Sequence, residues 1–321
     1  MHAAPPGRIS YLGPEGTFTE EALMDYLGPR PAEIVARPTI EDVLSDVAVG
    51  AARFGFVPIE NSIEGTVFPT LDALIFRFRL LIAGEWSLPI RQQLIGVPGA
   101  ELAEVTEVLS YQHALGQVGR FLREKLPQAT LTPTNSTAEA VALVASRRSR
   151  TLAAIGPRRA ASLYGLAVIA ADIDDHADNT TRFLLVNRDA IPMPTGNDRT
   201  SIVCFQVEDR PGSLLAILAE LASRGLNLTK LESRPAKTGM GIYCFAIDLE
   251  GHVADAPVQE SISNLNRFLA QVKFLGSYPV ASPKPRGAAP RVAGDPLVKE
   301  LLERIDPSLE IFDRGLGALG D

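Results

Sequence analysis

Asn179-Thr180-Thr181-Arg182-Phe183 sets a hydroxyl, a fixed cation and an aromatic ring side by side. The stretch lies between an acidic loop (Asp172, Asp174, Asp175, Asp178) and the apolar run Phe183-Leu184-Leu185-Val186. That run reads as a strand, so the polar groups sit at its mouth, where open α/β sheets gather ligands. Together they suit an anionic substrate with an unsaturated ring. A plainer reading needs no ligand: the Asn and Thr side chains cap a turn and Arg182 pairs with a nearby Asp. Taken alone, five residues favour the plainer reading.

Four further stretches place polar groups at strand-to-helix turns or helix starts. Pro58-Ile59-Glu60-Asn61-Ser62-Ile63-Glu64-Gly65-Thr66 packs carboxylates, an amide and hydroxyls into a strand-to-helix connection. A helix capped by Ser62 or Thr66, with Glu64 favouring the dipole, accounts for one or two of these residues but not for the cluster. Gly13-Pro14-Glu15-Gly16-Thr17-Phe18-Thr19-Glu20 opens a helix with a capping-box pattern from Thr17 to Glu20. It lacks the G-x-G-x-x-G spacing and the Lys-Ser/Thr of nucleotide loops, although a carboxylate could use the same amides. Ser110-Tyr111-Gln112-His113-Ala114-Leu115-Gly116-Gln117 makes another strand-to-helix turn, and Asn135-Ser136-Thr137 begins an Ala-rich helix.

The elements that must position these groups repeat β-α in two halves up to about residue 188, the pattern of a parallel α/β sheet. We expect a catalytic domain over 1–190, with one lobe at about 8–80 plus 178–190 and a second at about 84–172. The strand-like segments 80–86 and 92–97 would carry the chain between them. A Pro/Gly linker at 191–199 leads to a βαββαβ order over 200–280, which fits a small α+β ferredoxin-like domain. Residues 281–321 read as a tail, disordered where Pro, Ala and Arg dominate, with a short docking helix at 297–305.

Composition narrows the classes. The chain has 321 residues, 46% hydrophobic and 21% charged, as ordinary globular domains do. With 31 Lys plus Arg against 38 Asp plus Glu, the net charge of −7 gives no general attraction to nucleic acid or anionic membrane. No signal-peptide core or bilayer-length apolar run is evident, so a cytoplasmic location is expected. His2, His113, His176, His252, Cys204 and Cys244 show no metal-ligand spacing, and no metal is expected.

In their joint order, GPEGTFTEEA, VPIENSIEGT, NSTAEA and NTTRF resemble the prephenate dehydratase family, and DRPGSL with LESRP resembles its ACT regulatory domain. The resemblance spans about residues 9–280. It implies a two-lobed catalytic domain like a periplasmic binding protein, with the substrate in the cleft, followed by the ferredoxin-like ACT domain. The implied reaction converts prephenate to phenylpyruvate, carbon dioxide and water without a cofactor, since forming the aromatic ring supplies driving force. Thr181 matches the catalytic threonine, and Glu60 and Asn61 are implied as catalytic partners. Ser62, Thr17, Ser110, Gln117, Thr180, Arg182 and Phe183 are implied as substrate contacts. Arg182 would hold a carboxylate if its side chain faces the cleft. Tyr111 and Val118 stand where the family has His and Cys, and Asn135 where some relatives have Glu.

The same resemblance implies inhibition by phenylalanine at Gly212, Ser213, Leu214, Asn227, Leu228, Glu232, Ser233 and Arg234. The effector would sit between paired ACT domains in a homodimer or homotetramer. The alternatives are an arogenate dehydratase or a non-catalytic two-lobed binding or sensor protein, since fold does not fix function.

Overall fold

A computed structural model describes residues 7–237 and 242–281; the expected tail beyond residue 281, with its helix at 297–305, lies outside the described residues. The chain runs β1 (Ile9–Leu12), α1 (Phe18–Leu27), β2 (Ile34–Arg37), α2 (Ile40–Val49), β3 (Phe54–Asn61), β4 (Gly65–Thr66), α3 (Phe68–Phe76) and β5 (Leu81–Pro89). It continues through β6 (Gln93–Gly96), β7 (Glu107–Tyr111), α4 (Gln112–Gln117), α5 (Gly119–Lys125), β8 (Thr130–Thr134), α6 (Thr137–Arg147), β9 (Leu152–Gly156), α7 (Arg158–Leu163) and β10 (Ala167–Ala170). It then returns with β11 (Thr180–Asn187) and ends in β12 (Asp198–Phe205), α8 (Ser213–Ala222), β13 (Leu228–Pro235), β14 (Tyr243–Glu250), α9 (Ala256–Phe268) and β15 (Gln271–Pro279).

Local chemistry starts the helices where the sequence places them. Thr17, Thr39 and Ser136 each accept the backbone N–H three residues on, capping α1, α2 and α6. The first sheet has the order β2-β1-β3-β11-β5, with β1 parallel to both neighbours and β11 antiparallel to β3 and β5. The second has the order β10-β6-β9-β7-β8. Because β5 pairs along its length with β11, it belongs to the first lobe. The crossing between lobes therefore falls after Pro89 rather than at 80–84, and the return crossing lies in the acidic loop before Thr180. An excursion through the whole second lobe thus returns β11 to a place between β3 and β5 in the first sheet.

The third sheet, β13-β14-β12-β15, is antiparallel throughout and carries α8 and α9 on one face, the expected ferredoxin-like order. Its other face packs on the first lobe. Val203, Cys244, Ala246, Leu275 and Tyr278 share one core with Val43, Leu44, Leu74, Ile82 and Leu184 of the first lobe. Buried side chains of this size contribute ~1.5–3 kcal/mol each, so docking is built into the fold. At Gly276 the backbone of β15 approaches β5 so closely that a Cβ would lie 2.4 Å from Ile82 O. Lys273 Nζ donates to the carbonyls of Leu74, Ile75 and Phe78 at 2.7, 2.9 and 3.1 Å, placing a cation on the carbonyl-rich end of α3.

Candidate active site

The ends of β3 and β11 lie side by side, with Thr181 opposite Asn61, Arg182 opposite Glu60 and Phe183 opposite Pro58. Ile59 is the extra residue, so β3 carries a bulge here. Val57 and Ile59 pack on the α3 side, while Phe54 and Phe56 pack on the α1 side. Strict alternation would send Glu60 to the α1 side and Asn61 into the α3 core. The bulge instead keeps Glu60 on the α3 side with Ile59 and turns Asn61 toward Thr181.

Asn61 has its amide orientation fixed by its neighbours. Its Oδ1 accepts the backbone N–H groups of Ile63 and Glu64, both at 2.9 Å. Backbone N–H groups only donate, so Nδ2 faces the other way and donates to Asn179 Oδ1 at 2.7 Å and Thr181 Oγ1 at 2.9 Å. Thr181 therefore accepts, and its own proton remains available to a ligand. Buried Asn179 passes the polarity on, donating to Gln117 Oε1 at 3.3 Å. Gln117, from α4 in the second lobe, in turn reaches Glu64 Oε1 at 3.5 Å, where His113 Nδ1 also lies at 3.2 Å. This chain of amides joins the two lobes beside the Thr181 hydroxyl. Asn179 and Glu64 stood within quoted motifs but were not expected site residues; their signal was adjacency to Thr181 and Asn61.

Ser62 Oγ accepts from Thr180 N at 3.0 Å and donates to Asp178 O at 3.1 Å, which fastens the two strand ends together. Thr180 is half-buried, and its hydroxyl turns back to Asp178 O at 3.5 Å. Thr17 spends its hydroxyl on Pro14 O and on Glu20 N. The neighbouring Gly16 amide is occupied by the Glu20 carboxylate, which also pairs with Arg159 of the second lobe at 2.8 Å. The anion-binding potential of this helix start is thus filled from within.

Four expected contacts are corrected. Arg182 does not face the cleft: its guanidinium binds Asp248 of β14 at 2.7 Å and lies 3.6 Å from both Glu85 and Glu60. Burial opposes its charge, but Asp248, Tyr278 and Glu85 outweigh that and raise its pKa, so it stays protonated. Glu60 likewise turns away, toward Lys230 Nζ at 3.3 Å, and is not a cleft acid or base. Phe183 is a core residue, 1% exposed and stacked on Phe56 with centroids 5.3 Å apart. Ser110 is fully buried and donates to Ile155 O at 2.8 Å. At the cleft mouth, exposed Tyr111 stacks on His113 with centroids 5.2 Å apart.

In the third domain a pocket of about 510 Å³ opens at the start of α8, lined by Gln206, Arg210, Gly212, Ser213 and Phe268 among others. Leu214 lies partly buried behind it, against the core under α8. Asn227, Leu228 and Ser233 do not line it. Glu232 and Arg234 are corrected as effector contacts within one chain. Glu232 accepts from Thr66 Oγ1 at 2.9 Å, and Arg234 forks onto Asp72 at 2.9 and 3.0 Å.

A family model described as prephenate dehydratase matches residues 9–191, and an ACT domain model matches residues 200–267. The prephenate dehydratase of Mycolicibacterium vanbaalenii is 42% identical over 299 residues, covering 89% of this chain and 94% of the relative. Among solved structures, a prephenate dehydratase from Arthrobacter aurescens in complex with L-Phe is 39% identical with a TM-score of 0.80, covering 89% of this chain and 93% of that one. GqqA, described as a novel type of quorum quenching acylase, is 29% identical with a TM-score of 0.77, covering 87% and 100%.

Proposed function

Because this chain belongs to the prephenate dehydratase family and carries an ACT domain behind its catalytic lobes, we propose that it converts prephenate to phenylpyruvate in the cytoplasm, with Thr181 as the donor to the departing hydroxyl. The observation that carries the reading is the locked Asn61 amide, which makes Thr181 Oγ1 an acceptor and frees its proton for the substrate. The ring C–CO₂⁻ bond breaks, its electron pair enters the ring, and the C4–O bond breaks with its own pair. Carbon dioxide and hydroxide leave, and a proton completes water. Thr181 donates a hydrogen bond as charge grows on that oxygen, an interaction worth most in the transition state.

The four corrected residues hold the frame, while Asn61, Asn179 and Gln117 orient the donor. The departing carboxylate is best left without a strong cation, since firm binding of its charge would oppose decarboxylation. Arg182, committed to Asp248, satisfies that requirement. An acylase of the kind described for GqqA needs an activated nucleophile. Thr181 receives a hydrogen bond from an amide, the reverse of the bond to a general base, so the dehydratase reading is favoured. Purified full-length protein incubated with prephenate should form phenylpyruvate; no formation above a protein-free control refutes the reading.

Phenylalanine regulation fits the pocket at α8. Gly212 adopts φ +87° at its rim, and the helix start suits a carboxylate. β13 is a sheet edge whose outward residues Thr229, Leu231, Ser233 and Pro235 are exposed, a surface suited to pairing with a second copy. Pairing there gives a homodimer and would bring a second chain's ACT residues near the effector; contacts between catalytic domains would extend it to a homotetramer. Light scattering with and without phenylalanine, beside inhibition curves, tests both statements.

A further inference from the structure

The residues beside the catalytic pair form a second pair on the opposite face of the same ladder. Thr181 and Asn61 are register partners, as are Arg182 and Glu60 one step along. The first pair is joined by a 2.9 Å hydrogen bond, whereas the second approaches only to 3.6 Å and is held from outside. Asp248 of β14 grips Arg182 at 2.7 Å, and Lys230 of β13 grips Glu60 at 3.3 Å. Both strands belong to the ACT domain.

The clamps are themselves anchored. Asp248 accepts from Ser201 Oγ at 2.6 Å, and that hydroxyl also meets Tyr278 Oη at 2.7 Å. Lys230 Nζ donates to Thr66 Oγ1 at 2.9 Å on β4, beside β3. Glu85 on β5 contacts Arg182 and pairs with Arg199 of β12. Three cations (Arg182, Arg199, Lys230) thus meet three carboxylates (Glu60, Glu85, Asp248) between the domains. Within this balanced cluster, Arg182 Nε is buried without a hydrogen-bond partner. The bulge at Ile59 leaves no regular rung immediately beyond the Arg182 and Glu60 pair.

We propose that Arg182 and Glu60 are positioning residues through which the ACT domain fixes the ends of β11 and β3, and so the spacing of Thr181 and Asn61. The inference rests on the dehydratase reading. A strand end without its outer clamp can shift, and a displacement of ~1 Å at a reacting group can cost on the order of 10²-fold in rate. The binding surface in the cleft is otherwise unchanged, so KM should respond far less than kcat. The same contacts give effector binding in the ACT domain a mechanical route to the cleft, because β13 and β14 hold both clamps.

The test compares two charge-removing substitutions at the same domain interface in the full chain. Asp248→Asn loosens the clamp on Arg182, whereas Asp72→Asn, on α3, loosens Arg234 of β13, an ion pair that includes neither Arg182 nor Glu60. Wild-type turnover of prephenate is measured first, and its absence would sink the function rather than this inference. Given turnover, Asp248→Asn should lower kcat by about 10-fold or more with KM within about threefold. Asp72→Asn should leave kcat within about twofold of wild type even where it lowers the melting temperature. Should Asp248→Asn fail to fold, Lys230→Met releases Glu60 alone and should show the same kcat loss. Equal kcat for the clamp and Asp72 variants, or loss only in proportion to melting temperature in both, overturns the proposal.

Discussion

Replacing Thr181 by Val removes one hydroxyl from a strand position that accepts a β-branched side chain without strain. The fold should scarcely notice. Asn61 Nδ2 loses an acceptor at 2.9 Å but keeps Asn179 Oδ1 at 2.7 Å, and Oδ1 keeps both backbone donors. The stability loss should be about 0.5–1.5 kcal/mol, the net worth of one hydrogen bond. In a domain of this size that corresponds to a fall in Tm of roughly 2–4 °C per kcal/mol. Catalysis is different, because hydroxide leaves poorly without a donor and no other side-chain donor is placed on that oxygen by this reading. Losing one preorganised donor costs about 10²–10³-fold in kcat, or roughly 2.7–4 kcal/mol. KM should stay within about threefold, since the substrate hydroxyl is neutral in the ground state. Thr181→Ser keeps the donor and loses only the methyl that fixes its rotamer, so we expect a fall of less than about 10-fold. Phenylpyruvate formation gives kcat and KM, and thermal melts give stability. A Val variant within about threefold of wild-type kcat, or a Ser variant as inactive as Val, would refute the role.

Asn61→Asp should be nearly as damaging as Thr181→Val, because a carboxylate presents only acceptors and would draw the Thr181 proton to itself; undiminished kcat would show that the hydroxyl need not be free. Gly276→Ala forces a Cβ against the backbone of Ile82 at a φ of +145°, and should cost at least ~3 kcal/mol, read as a lower urea midpoint. His252 is buried, with Nδ1 accepting from Ala254 N and Nε2 left to donate to Pro192 O, so its neutral form is the bound one. Burial lowers its pKa below the usual 6.5, so the unfolded chain takes up the proton first. Stability should fall as pH drops through about 6.5 toward the folded value, and urea midpoints of His252→Gln should lose that part of the slope.

Removing the ACT domain is a poor probe of regulation. Cutting near Asn197 would expose Ile82, Leu74 and Leu184 and strip Arg182, Glu60 and Glu85 of Asp248, Lys230 and Arg199. Loss of activity in such a fragment would not separate regulation from damage. Substitutions at the pocket around Gly212, the effector site proposed above, leave the interface intact and are the better probe.

Much of this protein is written in local chemistry. Caps at Thr17 and Ser136, the β-α rhythm of the lobes and the βαββαβ order of the third domain depend on neighbours a few residues apart, and each is legible along the chain. So is the placement of Asn61 and Thr181 at strand ends. What the sequence could not decide is the direction of their immediate neighbours. Alternation implies that Thr181 and Arg182 face opposite ways, yet it does not say which face is the cleft. The single extra residue at Ile59 then reverses Glu60 and Asn61 relative to a regular strand. The charge at Arg182 reads as a carboxylate binder until Asp248 arrives from 66 positions away. Phe183 reads as a substrate platform until Phe56 closes over it. Burial, bulge register and domain docking are set by long-range contacts, and they decide which residues of a motif face the cleft and which hold the frame.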